Sequence, residues 1–324
     1  MTADGDPPDP PDPPDPQGEP LEPAQSLPTD QSDQSERAAP PEPPNRTARF
    51  AWFAVMIILI GVIALVVYAL TDATPAQQIA HPPPTSAGIL SELASVPPST
   101  YNTIGVTTTP PMQIASPSVL VGQPPLVALG KPEVLFVGAD FCPFCAAERW
   151  PLVVALSRFG RFSRLYATQS APASVFPGVQ TFTFTGAVYA SRYVTLTGVE
   201  LFSNSTNADG SYTRIATLSP GQQALVDRYR GAGSSGTLPG AYPFVDIGNK
   251  VVASTSAFSP TLLVGRSQGS IAGDLAQAQS PPAQAIVASA NMLTAGICMA
   301  TDQQPTRVCS SKGVLAAALA LGRA

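Results

Sequence analysis

The chain has 324 residues, a formal net charge of −5, 37 prolines, four cysteines and one histidine. Half of the 22 carboxylates precede Asn45, and no Lys/Arg block or aromatic-interleaved basic stripe follows, which argues against nucleic acid as a partner. With His81 as the single histidine, His-dependent triads and His-ligated zinc catalysis are excluded.

Residues 1–49 are dominated by proline, acid and small polar residues, as in "DPPDPPDPPDPQGEP". Such a segment buries too little apolar surface to offset its ordering entropy, so a disordered tail with polyproline-II bias is expected. A role as ligand for a proline-reading domain finds no clear PxxP-plus-Arg pattern to support it. From Phe50 to Leu70 runs "FAWFAVMIILIGVIALVVYAL", uncharged and long enough to cross a bilayer core of roughly 30 Å as a helix. A cleaved signal peptide would have a shorter apolar region and leader. Arg37, Arg46 and Arg49 precede the span, and no Lys or Arg follows until Lys131, so the tail is expected in the cytoplasm and the remainder outside it. Residues 71–125, rich in Pro, Ser and Thr, read as a linker holding a domain off the membrane, with one short helix at "AGILSELASV". His81 falls in it and reads as solvated.

A folded domain is expected over 126–324. "EVLFVGA", from Glu133, has the apolar β-branched pattern of a strand buried on both faces. "CAAERWPLVVALSRFG" continues at helical spacing, with Pro151 expected to kink it and Gly160 to stop it. "RLYATQS", "VQTFTFT" and "RYVTLTGVEL" read as strands. "SPGQQALVDRYRGA" is a helix with Ser219 as N-cap and Pro220 at its first position. "GAYPFVDIGNKVV" is a pair of apolar runs around a Gly-Asn turn, and three helical patterns close the chain. The order predicts an α/β fold with a central sheet.

Cys142 and Cys145 form a CPFC motif where a strand pattern becomes a helix pattern. A cysteine at a helix N-terminus faces unsatisfied N–H groups and the positive end of the dipole, which favour thiolate. Cys142 is therefore placed for attack with an accessible sulfur. Cys145, one turn in, can reach back and release a mixed-disulfide partner. Pro143 restricts the backbone between them and Phe144 adds an apolar contact. An even cysteine count outside the cytoplasm favours two disulfides. A four-cysteine zinc site competes, but Cys298 and Cys309 have ten residues between them, poor ligand spacing. Cys298 and Cys309 read as a structural staple; the alternative is a shuttle pair exchanging electrons with the CPFC cysteines. Asp140 and Glu148 flank the motif and read as solvated carboxylates, with proton relay the functional alternative.

"FCPFCAAERW" entering a helix, with "YPFVDIGNKVV" about a hundred residues later, resembles the two halves of a thioredoxin-like active site. The resemblance implies a thioredoxin-like central sheet with flanking helices. It also implies that Pro243, matching the superfamily's cis-proline, faces the CxxC and helps bind the substrate backbone. Tyr242, Phe144 and Pro143 join it as candidate substrate contacts. More closely, "VGADFCPFCAAERWPLVVALSRFG", "LYATQS" and "ICMATDQQPTRVC" are similar to an uncharacterised family of membrane-anchored thioredoxin-like proteins, domain of unknown function 929, over most of Leu126 to Leu321. Two features depart from thioredoxins. Phe136 stands roughly where they keep a buried acid, and the stretch from Ser170 to Ser219 exceeds their minimal core. That stretch reads as a β-rich insertion, either an extra β layer or a substrate cover.

Two function classes follow. One is a membrane-tethered thiol–disulfide oxidoreductase acting on protein thiols or disulfides outside the cytoplasm, with an unidentified redox partner. The other is a non-catalytic thioredoxin-fold binding or assembly module whose disulfides are structural. No organic cofactor and no metal are implied, since the glycines form no phosphate-binding pattern and the sulfurs supply the redox chemistry.

Overall fold

A computed structural model describes residues 46–71, 82–107, 113–229 and 242–322. The expected disordered tail up to residue 45 and His81 lie outside the described residues. The chain divides into one unit ending at Pro75 and another from Ala76 onward.

In the first unit, α1 (Arg46–Thr71) is a 26-residue helix that contains the whole predicted span. At 1.5 Å per residue it measures about 39 Å. Its large apolar side chains from Val55 to Val66 are exposed.

The second unit begins earlier than the linker reading allowed. α2 (Ala87–Ala94) is the expected short helix, capped by Ser86, and α3 (Pro98–Ile104) opens on a proline. Leu93, Val96, Tyr101 and Ile104 are buried in the main core. Asn291 Nδ2 donates to the carbonyls of Tyr101 at 3.0 Å and Gly105 at 2.8 Å, and the Arg158 guanidinium lies 4.1 Å from the Tyr101 ring centroid. Residues 82–107 are therefore part of the domain. The prolines and serines taken as spacer composition are helix-start and capping residues of short packed helices.

The sheet is built on β3 (Lys131–Gly138), reached through β1 (Ser118–Val119) and β2 (Val127–Ala128). α4 (Pro143–Leu156) follows β3 and passes through Pro151 as one helix. β4 (Gly160–Gln169) and β5 (Gln180–Ser191) pair antiparallel as a separate two-stranded sheet. β6 (Thr195–Glu200) then returns parallel to β3, with Val134 opposite Leu196. β7 (Phe202–Thr206) and β8 (Tyr212–Arg214) form a hairpin, and α5 (Pro220–Tyr229) comes next. β9 (Phe244–Ile247) pairs antiparallel to β3, and β10 (Val251–Ala253) to β9, with β1 on the far edge. The Gly-Asn turn appears as read, with Gly248 at φ 60° and Asn249 at φ 57°. A 3₁₀ turn (Pro260–Leu263) and α6 (Gln268–Asp274), α7 (Pro281–Ala300), α8 (Thr306–Cys309) and α9 (Lys312–Ala320) complete the chain.

Alternation along β3 explains the layers. Val134 and Phe136 enter the main core with α4 and α7, whereas Leu135 and Val137 enter a second cluster with Val226 and Tyr229 of α5. A strand covered on both faces reads as a continuous apolar run, as this one does. α7 is long and apolar enough to cross a membrane, but its apolar stretch is 89% buried within the domain, so it is a core helix.

Candidate functional site

β3 ends where the chemistry begins. Ala139 and Asp140 are buried, and Cys142 takes extended backbone angles (φ −79°, ψ 120°) as N-cap of α4. Pro143 at the first helical position has no N–H to satisfy and a preset φ. The Cys142 Sγ accepts the Cys145 backbone N–H at 3.3 Å, the bond a capping oxygen would make. Cys142 and Cys145 are free thiols, so of the two expected disulfides the structure holds one.

The sulfurs differ. Cys142 is 6% exposed and Cys145 0%, so the expected accessible nucleophile is largely covered. A hydrogen bond from the Cys145 thiol, ahead of an opposing burial effect, lowers the Cys142 pKa below its usual range. Burial first, then the charge and hydrogen-bond demand of Cys142, push Cys145 well above its usual range.

Aromatic residues precede the pair and sit within it in sequence, and they pack against other rings. Phe141 stacks on Tyr212 of β8 at 3.9 Å with 6° between planes, and meets Tyr242 edge-on at 6.3 Å. Phe144, 37% exposed, packs edge-on against Phe176 at 5.8 Å. Pro243 is buried and follows a cis Tyr242–Pro243 bond. Phe244 pairs with Val137, which places Pro243 at the same end of the sheet as the cysteines. Burial, then the charges of Cys145 and Cys142, raise the Tyr242 hydroxyl pKa, so that side chain lies near both sulfurs.

Beneath the pair is a charge cluster that sequence reasoning missed. Arg149, one turn after Cys145 on α4, is 0% exposed. It makes a two-pronged contact with Glu200 at the end of β6 (Nε 2.9 Å, Nη2 2.6 Å), lies 3.6 Å from Asp140, and donates from Nη2 to the Ala139 carbonyl at 2.9 Å. Its Cζ is 5.4 Å from the Phe136 ring centroid. Phe136, where the resemblance predicted a missing acid, is thus an aromatic shelf for a cation. The available signal was an arginine at i+4 from Cys145 on a helix whose other described residues are almost all apolar.

Asp140 and Glu148 are buried rather than solvated. Burial and the Glu200 charge, against the pull of Arg149, raise Asp140 to about 7. Burial raises Glu148 to about 8, with the Ala257 N–H donating to it at 2.7 Å. Glu148 also lines a cavity of about 30 Å³ with Ser116, Ser254 and Ser289, a space that admits a water molecule. Among the described residues, no three His, Cys, Asp or Glu side chains group as metal ligands.

The second pair stands apart. Cys298 and Cys309 are bonded and buried, with Cα atoms 5.6 Å apart. Nearby Ala300 packs against Gly248, whose N–H donates to Glu133 at the start of β3. The CPFC pair follows the other end of that strand, about 17 Å away at strand rise.

No curated protein and no solved structure matches the chain. A family model does, over residues 118–299, from β1 nearly to the end of α7 and including Cys142, Cys145, Pro243 and Cys298, with Cys309 beyond it. The match covers more than half of the sequence, and the chain belongs to the family described as domain of unknown function (DUF929).

Proposed function

We propose that this protein is a membrane-tethered thiol–disulfide oxidoreductase with a thioredoxin-like domain, acting on protein thiols or disulfides outside the cytoplasm through Cys142 and Cys145. The observation that carries the reading is the inequality of the two sulfurs: a helix-capping Cys142 with lowered pKa, and a fully buried Cys145 whose pKa is raised. The fold assignment is supported by β6 and β3 in parallel with β9 and β10 following antiparallel, and by the cis-proline opening β9. Tethering is supported by the uncharged run from Phe50 to Leu70 within α1 and its exposed apolar side chains, and orientation by Arg37, Arg46 and Arg49 ahead of that run.

In the exchange, the Cys142 thiolate attacks one sulfur of a substrate disulfide. The S–S bond breaks, a mixed disulfide forms, and one substrate sulfur leaves as thiolate. Cys145 loses its proton and attacks Cys142, expelling the second substrate sulfur. Two electrons pass from the pair to the substrate; the Cys145 proton and one proton from water complete the two substrate thiols. The reverse sequence oxidises a substrate dithiol.

Replacing Cys145 with Ser removes the resolving sulfur and keeps the attacking one. Cys145→Ser expressed at native level is expected to accumulate reducible adducts with exported proteins, and Cys142→Ser none. The burial of Cys142 favours the second reading, a binding module with inert thiols; that reading expects adducts from neither variant. Capture of cytoplasmic proteins alone would overturn the assigned compartment.

A further inference from the structure

Charged side chains are almost never fully buried unless paired, and removing two charges from water is costly even when they are. Among the described residues Arg149 is the one fully buried cation, and it belongs to the cysteine helix itself, one turn after Cys145. Glu200 alone would neutralise it. Yet its Nη1 has no hydrogen-bond partner, and its Nη2 reaches the Ala139 carbonyl, which also accepts the Cys142 N–H at 3.2 Å. The guanidinium therefore holds the backbone that sets Cys142 at the helix start, and it shares a helix face with Cys145 at i+4.

We propose that Arg149 is a positioning residue for the cysteine pair: its buried charge, fixed by Glu200 and Asp140 and bonded to the carbonyl that receives the Cys142 amide, favours thiolate and so weights the pair toward its reduced form. The proposal rests on the oxidoreductase reading and names what tunes that site. The Arg149 charge favours thiolate at both sulfurs, although burial leaves Cys145 raised, and the carbonyl it holds is the one that accepts the Cys142 amide. A thiolate stabilised only in the dithiol state makes the disulfide easier to reduce, raising the reduction potential.

The test is equilibration of the full-length protein in glutathione buffers, with the ultraviolet absorbance of the thiolate titrated in parallel. In that equilibrium the pair and glutathione disulfide give the protein disulfide and two glutathione, with two electrons transferred. Arg149→Met/Glu200→Met removes the close ion pair as a unit and leaves Asp140 as the one acid of the cluster, already raised to about 7 by burial first of all. It is expected to raise the Cys142 pKa and make the pair about tenfold harder to reduce, about 30 mV lower in potential. Glu200→Gln, close to isosteric, keeps the cation and removes its nearest counter-charge, so the shift should have the opposite sign. Arg149→Lys, retaining charge, should lie nearer to the native protein than the double variant. Opposite shifts support the proposal, and where the double variant folds poorly, a Glu200→Gln shift toward the more acidic thiol and the higher potential supports it alone. A native protein that cycles with glutathione while Glu200→Gln moves neither quantity, or moves both toward the less acidic thiol, overturns the role of Arg149. A native pair that holds no disulfide at any buffer ratio once equilibrium has been reached from both the reduced and the oxidised protein overturns the oxidoreductase reading itself.

Discussion

At the scale of single residues, the region around α4 gathers ionisable groups away from bulk solvent, and burial of Glu148 has a measurable consequence. Its carboxyl titrates near 4.5 in the unfolded chain and near 8 when folded, because burial penalises the charged form. A raised folded value means that its contribution is fully present below about pH 4.5 and is lost as pH rises through 8. Glu148→Gln removes that dependence. The variant is expected to match the native protein at pH 5 within about 1 kcal/mol and to exceed it at pH 9 by on the order of 2–4 kcal/mol. Urea denaturation at the two pH values checks this; equal pH profiles would show that Glu148 is ionised when folded. These residues also mark the limit of sequence reading. CPFC was legible from its spacing and its place between a strand and a helix, but Asp140, Glu148 and Arg149 belong to types that are usually exposed. Only the three-dimensional arrival of Glu200 from β6 places a counter-charge beside Arg149.

At the scale of elements, the strand and helix that hold the cysteines were readable, as was the β9–β10 hairpin with its two positive-φ turn residues. Each has strong local periodicity and a turn residue that ends it. The pairing of β4 with β5, away from the central sheet, was not readable, since alternation names a half-buried strand without its partner. The β7–β8 hairpin is the element with the most direct bearing on access. Its Tyr212 stacks on Phe141, the residue before Cys142. Tyr212→Ala should cost about 1 kcal/mol for the lost stack and should speed alkylation of Cys142 several-fold at constant pH, while Cys145 stays slow. Mass spectrometry after timed quenching reads both sites. An unchanged Cys142 rate would mean that Phe144 and Tyr242 suffice as cover.

For the folded unit as a whole, the segment before the sheet matters more than its composition suggests. Leu93, Val96, Tyr101 and Ile104 pack in the main core, and Asn291 of the central α7 spends both amide donors on carbonyls of that segment. Removing it exposes apolar surface and leaves a buried amide unpaired, a loss of several kcal/mol against a total of about 5–15. A fragment of residues 126–324 is therefore expected to lack a cooperative unfolding transition, and one of 82–324 to retain it, by urea denaturation followed by near-ultraviolet circular dichroism. Cooperative unfolding of the shorter fragment would return α2 and α3 to the status of a spacer. Proline and serine density concealed this packing because short capped helices and unstructured linkers draw on the same residues.

The burial of the Cys142 sulfur has a bearing on what the pair can record. Small thiols and oxidants in the surroundings meet Cys142 through a surface that is 6% open, and Cys145 through none. Thiol exchange requires direct approach of sulfur to sulfur, so such encounters are slow whatever their equilibrium favours. A protein able to part Phe141 from Tyr212 as it docks would bring the energy for that opening with it. On the proposed function, the oxidation state of Cys142 and Cys145 is then insulated from the ambient pool and holds a memory of the last partner that fitted.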